Sequence, residues 1–173
     1  MDTLRWQFGL TWKLAEFYLP ALTDHACLWE PMPGSWNVRL SPDGKWHPDW
    51  VEPEPDPVPT VTIGWLTWHI LWWWSGLIAT IREEAPIPRE SIFWPGSAEA
   101  VRRQLAGLSA DWTGMLSGLQ ENDLEEPCTY PWREPRPLRY AVAWCNSELM
   151  KNIAEIGYGL HLFDAARRLK SSS

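Results

Sequence analysis

Histidine, carboxylate and amide side chains at helical spacing are the groups in this sequence that could do chemistry. His69 stands in an apolar run: residues 61–81 contain no charged side chain. On a helix its neighbours are Trp65, Leu66, Trp72 and Trp73, so it points where large apolar groups point. A buried neutral imidazole needs a hydrogen-bond partner. Far along the chain, Glu148, Asn152 and Glu155 fall at i, i+4 and i+7, on one helical face. Turned inward, that stripe gives His69 its partner, with Glu148 or Glu155 as acceptor. Turned outward, it is a solvated edge on which Lys151 pairs with Glu155.

Other chemistries find no support. The sequence has no glycine-rich phosphate loop, no HExxH and no CxxC. Cys27, Cys128 and Cys145 are odd in number and in no metal spacing, which reads as reduced structural thiols in a reducing, cytoplasmic setting. Cys145 lies three residues before Glu148, whose charge would raise the thiol pKa and oppose thiolate formation. His47, in Trp46-His47-Pro48, reads as a surface turn, and His161 falls on the side of its helix away from Glu148. The net charge is −7, from 15 basic and 22 acidic residues, with no basic cluster to release counterions from a nucleic acid. The N-terminus lacks the basic flank and cleavage site of a signal peptide. The uncharged run is long enough to cross a bilayer, but Trp72, Trp73 and Trp74 at its middle, with His69, argue for burial in protein instead.

These residues need helices to position them. Four helical periodicities are present. The first covers residues 4–22, with Pro20 ending or kinking it. The second covers 61–84, with Thr60 or Thr62 as N-cap, and the third begins at the Ser97 cap and runs to Leu116. The fourth covers 139–169, where Leu149, Ile153, Ile156, Leu160 and Phe163 form an apolar seam. Residues 29–60 read as a long irregular segment rich in proline and tryptophan. Its Trp36, Trp46 and Trp50 would pack it onto the helices as a cover. No strand pattern stands out. The expectation is one all-α domain over residues 1–173, a four-helix bundle with that Pro/Trp-rich loop between helices 1 and 2. Fifteen tryptophans, each burying roughly 150–250 Å² with an N–H to satisfy, predict half-polar aromatic sites beside the dry core. The second helix, apolar all round, predicts a homodimer.

Two stretches give the sequence a family likeness. Trp36-Asn37-Val38 followed by Thr62-Ile63-Gly64-Trp65-Leu66-Thr67-Trp68-His69-Ile70, and the stretch from Asn146 to Ile156, resemble the DinB-like superfamily of bacterial bundle proteins. In that family three histidines, one on helix two and an HxxxH pair on the last helix, hold nickel, zinc or iron. The resemblance implies that His69 is the first metal ligand and that Glu148 and Asn152 stand where the other two histidines would be. An amide oxygen is a weak donor for nickel or zinc. The implied site is therefore degenerate, with Glu155 as an extra carboxylate and candidate catalytic base. Two functions remain open by this likeness. One is a thiol-dependent transferase or metal-dependent hydrolase that uses a divalent metal. The other is a metal-free, non-catalytic bundle, small-molecule-binding or stress-associated, with a cavity lined by Trp65, Trp68 and Trp72 under the long loop.

Overall fold

The computed structural model describes residues 1–171. Four long helices form a mainly helical body: α1 (Asp2–Tyr18), α3 (Ile63–Ile81), α4 (Ala98–Gly118) and α5 (Leu138–Ser171), with a one-turn α2 (Asp24–Leu28) between the first two. α1 packs on α5 and α4, and α3 packs on the same pair from the other side. At the centre the Trp74 indole of α3 meets Phe8 and Trp12 of α1 and Trp112 of α4 at ring separations of 6.0, 6.1 and 6.5 Å. The five seam residues of α5 are all buried.

Local chemistry sets the helix ends. The Thr62 hydroxyl accepts from Trp65 N and starts α3, and the Ser97 hydroxyl accepts from Ala100 N and starts α4. Pro20 sits in a 3₁₀ turn directly after α1. Arg5 donates to the carbonyls of Leu116 and Leu119, satisfying the C-terminal end of α4 from α1. Asn146 of α5 donates to Leu4 O and to Gln7 Oε1, holding α1 against it. At Gly157 of α5 any side chain would collide with the Tyr18 ring, so the close approach of α1 and α5 requires glycine there.

The segment before α3 departs from expectation. It is not an irregular loop throughout: β1 (Val38–Leu40) and β2 (Trp46–Pro48) form an antiparallel hairpin in the register Val38↔Pro48, Arg39↔His47, Leu40↔Trp46. A second small pair, β3 (Pro127–Cys128) with β4 (Arg136–Pro137), lies before α5. Elements of two or three residues have no room to show an alternating pattern, which is why no strand was expected.

Asn37 ties this segment down. Its amide nitrogen donates to Leu28 O and Glu30 Oε1, and its oxygen accepts from Val38 N and from the Thr62 hydroxyl. Trp36 N donates to Thr60 O, and Thr62 N donates to Trp36 O. The segment then lays its tryptophans on α3. Trp50 lies parallel to Trp65 at 6.1 Å and meets Trp68 and Trp72 edge-on. In all, 13 of the 19 residues of α3 are buried within a single chain. The segment's tryptophans thus cover the Trp65, Trp68 and Trp72 face of α3. The exposed large apolar residues of the helical body include Trp6, Leu10 and Phe17, on α1. No helix among the described residues is long and apolar enough to cross a membrane.

Asn37→Ala removes four hydrogen bonds and strands buried partners, including the Thr62 cap. A loss of about 2–3 kcal/mol is expected, seen as a lower midpoint in thermal or urea unfolding. A change within about 0.5 kcal/mol, the usual range for a surface substitution, would show that Asn37 does not anchor the segment.

Candidate functional site

α3 and α5 present their polar residues to one another beneath the Pro-rich segment. His69, Glu148, Asn152 and Glu155 all line a single cavity of about 430 Å³, together with Lys151, Glu54 and the apolar wall of Trp36, Val58, Pro59, Val61, Trp65 and Leu66. The cavity includes one of the three tryptophans expected to line it, Trp65. Trp68 and Trp72 lie under Trp50, which is itself covered by the Arg89 guanidinium at 4.6 Å.

The His69 ring stacks on Trp65 at 5.0 Å and meets Trp72 at 5.8 Å. Its Nδ1 is buried and has no hydrogen-bond partner. Burial is the main influence on its proton affinity and lowers the pKa to about 4. The Glu148 charge and the Asn152 side chain oppose that shift, and the Lys151 charge adds to it. His69 is therefore a neutral imidazole at physiological pH.

Asn152 is almost wholly buried, and both ends of its amide are bound. Its oxygen accepts the Trp73 indole N–H at 3.1 Å, and its nitrogen donates to Glu155 Oε2 at 3.1 Å. Lys151 does not pair with Glu155. Its ammonium reaches back one turn to Glu148 Oε1 at 2.6 Å, and the Glu148 side chain is 17% exposed. Glu155 is exposed at the cavity rim. The three cysteines are buried and unpaired. The Cys145 thiol pKa is pushed well up, by burial first and by Glu148 second. His161 lies exposed, edge-on to Tyr18, on the far side of α5.

The donors do not suit a nickel or zinc ion. One imidazole is available. The amide oxygen is turned to an indole, and the Glu148 carboxylate is already neutralised by an ammonium that would repel a dication. Among the described residues no group of three or more His, Cys, Asp or Glu side chains could hold a metal ion. Sequence reasoning missed Trp73, Glu54 and the Lys151–Glu148 pair as parts of the site. The i, i+3 spacing of Glu148 and Lys151 was a readable signal. The placement of Glu54, from the proline run, on the cavity wall was not.

The family model of the DinB superfamily matches residues 42–156. The chain belongs to the DinB superfamily. Among solved structures it is similar to one described as the "Crystal structure of the conserved protein of locus from Enterococcus faecalis". The TM-score is 0.63 and the identity 12%, over 93% of this chain and 95% of that one. That likeness is one of fold. No curated protein matches the chain.

The buried imidazole gives a pH prediction. The folded pKa of about 4 lies below the ordinary value of 6.5, so between these values the unfolded chain binds more protons. His69 then withdraws stability as the pH falls from about 6.5 toward 4, and the effect is absent above that window. NMR titration of the imidazole should place its midpoint near 4, and His69→Gln should flatten the stability loss between pH 6.5 and 4. A midpoint near 6.5 would contradict the burial.

Proposed function

We propose that this DinB-superfamily chain is a small-molecule-binding protein. Its cavity beside His69 works by hydrogen bonding and charge, and the superfamily's metal site is degenerate in it. The observation that supports this reading most directly is the state of Asn152: its oxygen faces Trp73 and its nitrogen faces Glu155. Both groups at positions 148 and 152 are committed to protein partners, and the His69 ring lies on the cavity wall with no hydrogen bond at its buried Nδ1. A neutral imidazole in an apolar wall can donate from one nitrogen and accept at the other. Such a group, with Glu155 at the rim, suits recognition of a polar group on an otherwise apolar molecule.

A thiol-dependent transferase or a metal-dependent hydrolase would need an ion to lower the pKa of a thiol or a water. The donor set gives that reading less support, because an ion would have to displace both the Trp73 indole and the Lys151 ammonium. Glu155, the candidate base in that reading, serves here as a carboxylate at the cavity mouth.

The test is calorimetric titration of zinc into chelator-treated, untagged protein. Wild type is expected to show no stoichiometric site at micromolar concentrations. Asn152→His, which restores an imidazole opposite His69, should gain zinc affinity by about tenfold or more. One tightly bound zinc per wild-type chain, lost in His69→Gln, would overturn the proposal.

A further inference from the structure

A second cavity, of about 250 Å³, opens beside the first and shares Val61, Leu66 and Glu155 with it. Its walls differ in chemistry from the His69 cavity. They are mostly apolar and aromatic, with Trp29, Ile63, Tyr158 and Leu162 among them, and Glu155 is the one charged side chain. Tyr158 and Leu162 lie on the exposed edge of α5, so this wall meets solvent. Taken together as a composite site, the two adjoining cavities offer an apolar chamber, the shared Glu155 carboxylate, and a chamber lined by His69.

The charge balance of the composite site is negative. Glu54, Glu148 and Glu155 line it, against Lys151 as the cation and a neutral His69. Lys151 is held by Glu148 at 2.6 Å, and among the described residues Glu54 and Glu155 form no ion pair. Glu155 receives one hydrogen bond, from Asn152 Nδ2, and a carboxylate has room for about three more. An apolar body in the first chamber would bring whatever it carries at its end to this carboxylate. A cationic N–H group there would form charge-assisted hydrogen bonds with it. A carboxylate-headed molecule would meet repulsion from Glu155 and Glu54.

We infer that the composite site takes an amphipathic amine: an apolar chain or ring seated among Trp29, Ile63 and Leu162, with its ammonium between Glu155 and the His69 chamber. This rests on the metal-free reading of the cavity given above and names its ligand class. The binding is non-covalent, and the recognition elements are apolar burial at one end and the Glu155 carboxylate at the other.

The probes are n-octylamine, protonated at pH 7.5, and n-octanoate, titrated calorimetrically into the full chain. Octylamine is expected to bind one per chain, and octanoate is expected to bind at least about tenfold more weakly. Glu155→Gln, a substitution at an exposed position, should weaken octylamine by about tenfold. Leu162→Trp, which fills the apolar chamber from the partly exposed edge of α5, should weaken it comparably. Equal binding of the amine and the acid, or amine binding that survives both substitutions, would overturn the inference, as would no octylamine binding at all. Zinc separates the two readings. A chain that binds neither zinc nor octylamine retains the metal-free cavity and loses the amine, whereas stoichiometric zinc on His69 overturns the metal-free cavity itself.

Discussion

The Trp73 indole N–H donates to the Asn152 oxygen inside the contact between α3 and α5, and the chemistry of the site follows from that hydrogen bond. Both groups are nearly inaccessible to water, so leaving either unpaired would carry the desolvation cost of a buried polar group, about 1–3 kcal/mol. The bond fixes which way the amide faces. With the oxygen toward Trp73, the nitrogen must point at Glu155, and it does. An amide held at both ends bridges the two helices and presents no free oxygen to an ion. Asn152 is thereby a structural tie between α3 and α5.

The same logic extends outward. Thr62 caps α3 and also donates to Asn37, so the start of the helix that carries His69 is bonded to the segment that covers it. That segment places Trp36 and Trp50 against Trp65, and Trp65 is the surface on which the His69 ring lies. The indole N–H of Trp65 is taken by Asp49 O and that of Trp68 by Ile92 O, so the aromatic stack is pinned by backbone acceptors as well as by area. The imidazole is kept neutral by this surrounding of rings, and Glu148, which would favour its charge, is largely answered by Lys151.

The helices were legible because their signals are local. The Thr62 and Ser97 caps, Pro20 after α1 and the α5 seam each act within a turn or two of the residues they specify. The convergence of α3 and α5 rested on a family likeness, and the superfamily match now supports that likeness. What could not be read was the pairing of side chains across long separations. Trp73 is the middle member of Trp72-Trp73-Trp74, and nothing in that run distinguishes the ring that meets Asn152, 79 residues away. Asn152 read as a weak ligand because its type was known and its partner was not. Lys151 had two carboxylates in reach, Glu148 and Glu155, and the choice depends on which of them Asn152 already holds. The small hairpins were invisible because their strands were too short to alternate.

The central claim is that the Asn152 oxygen belongs to Trp73 and not to an ion. The most direct measurement is the NMR signal of the Trp73 indole N–H, assigned by its disappearance in Trp73→Phe, followed for hydrogen exchange and for shift during addition of zinc. A buried, bonded indole should exchange slowly, and its resonance should hold its position at one equivalent of zinc. Rapid exchange, or a saturable shift of that resonance with zinc, would mean that the amide is free to turn toward the cavity and would contradict the account.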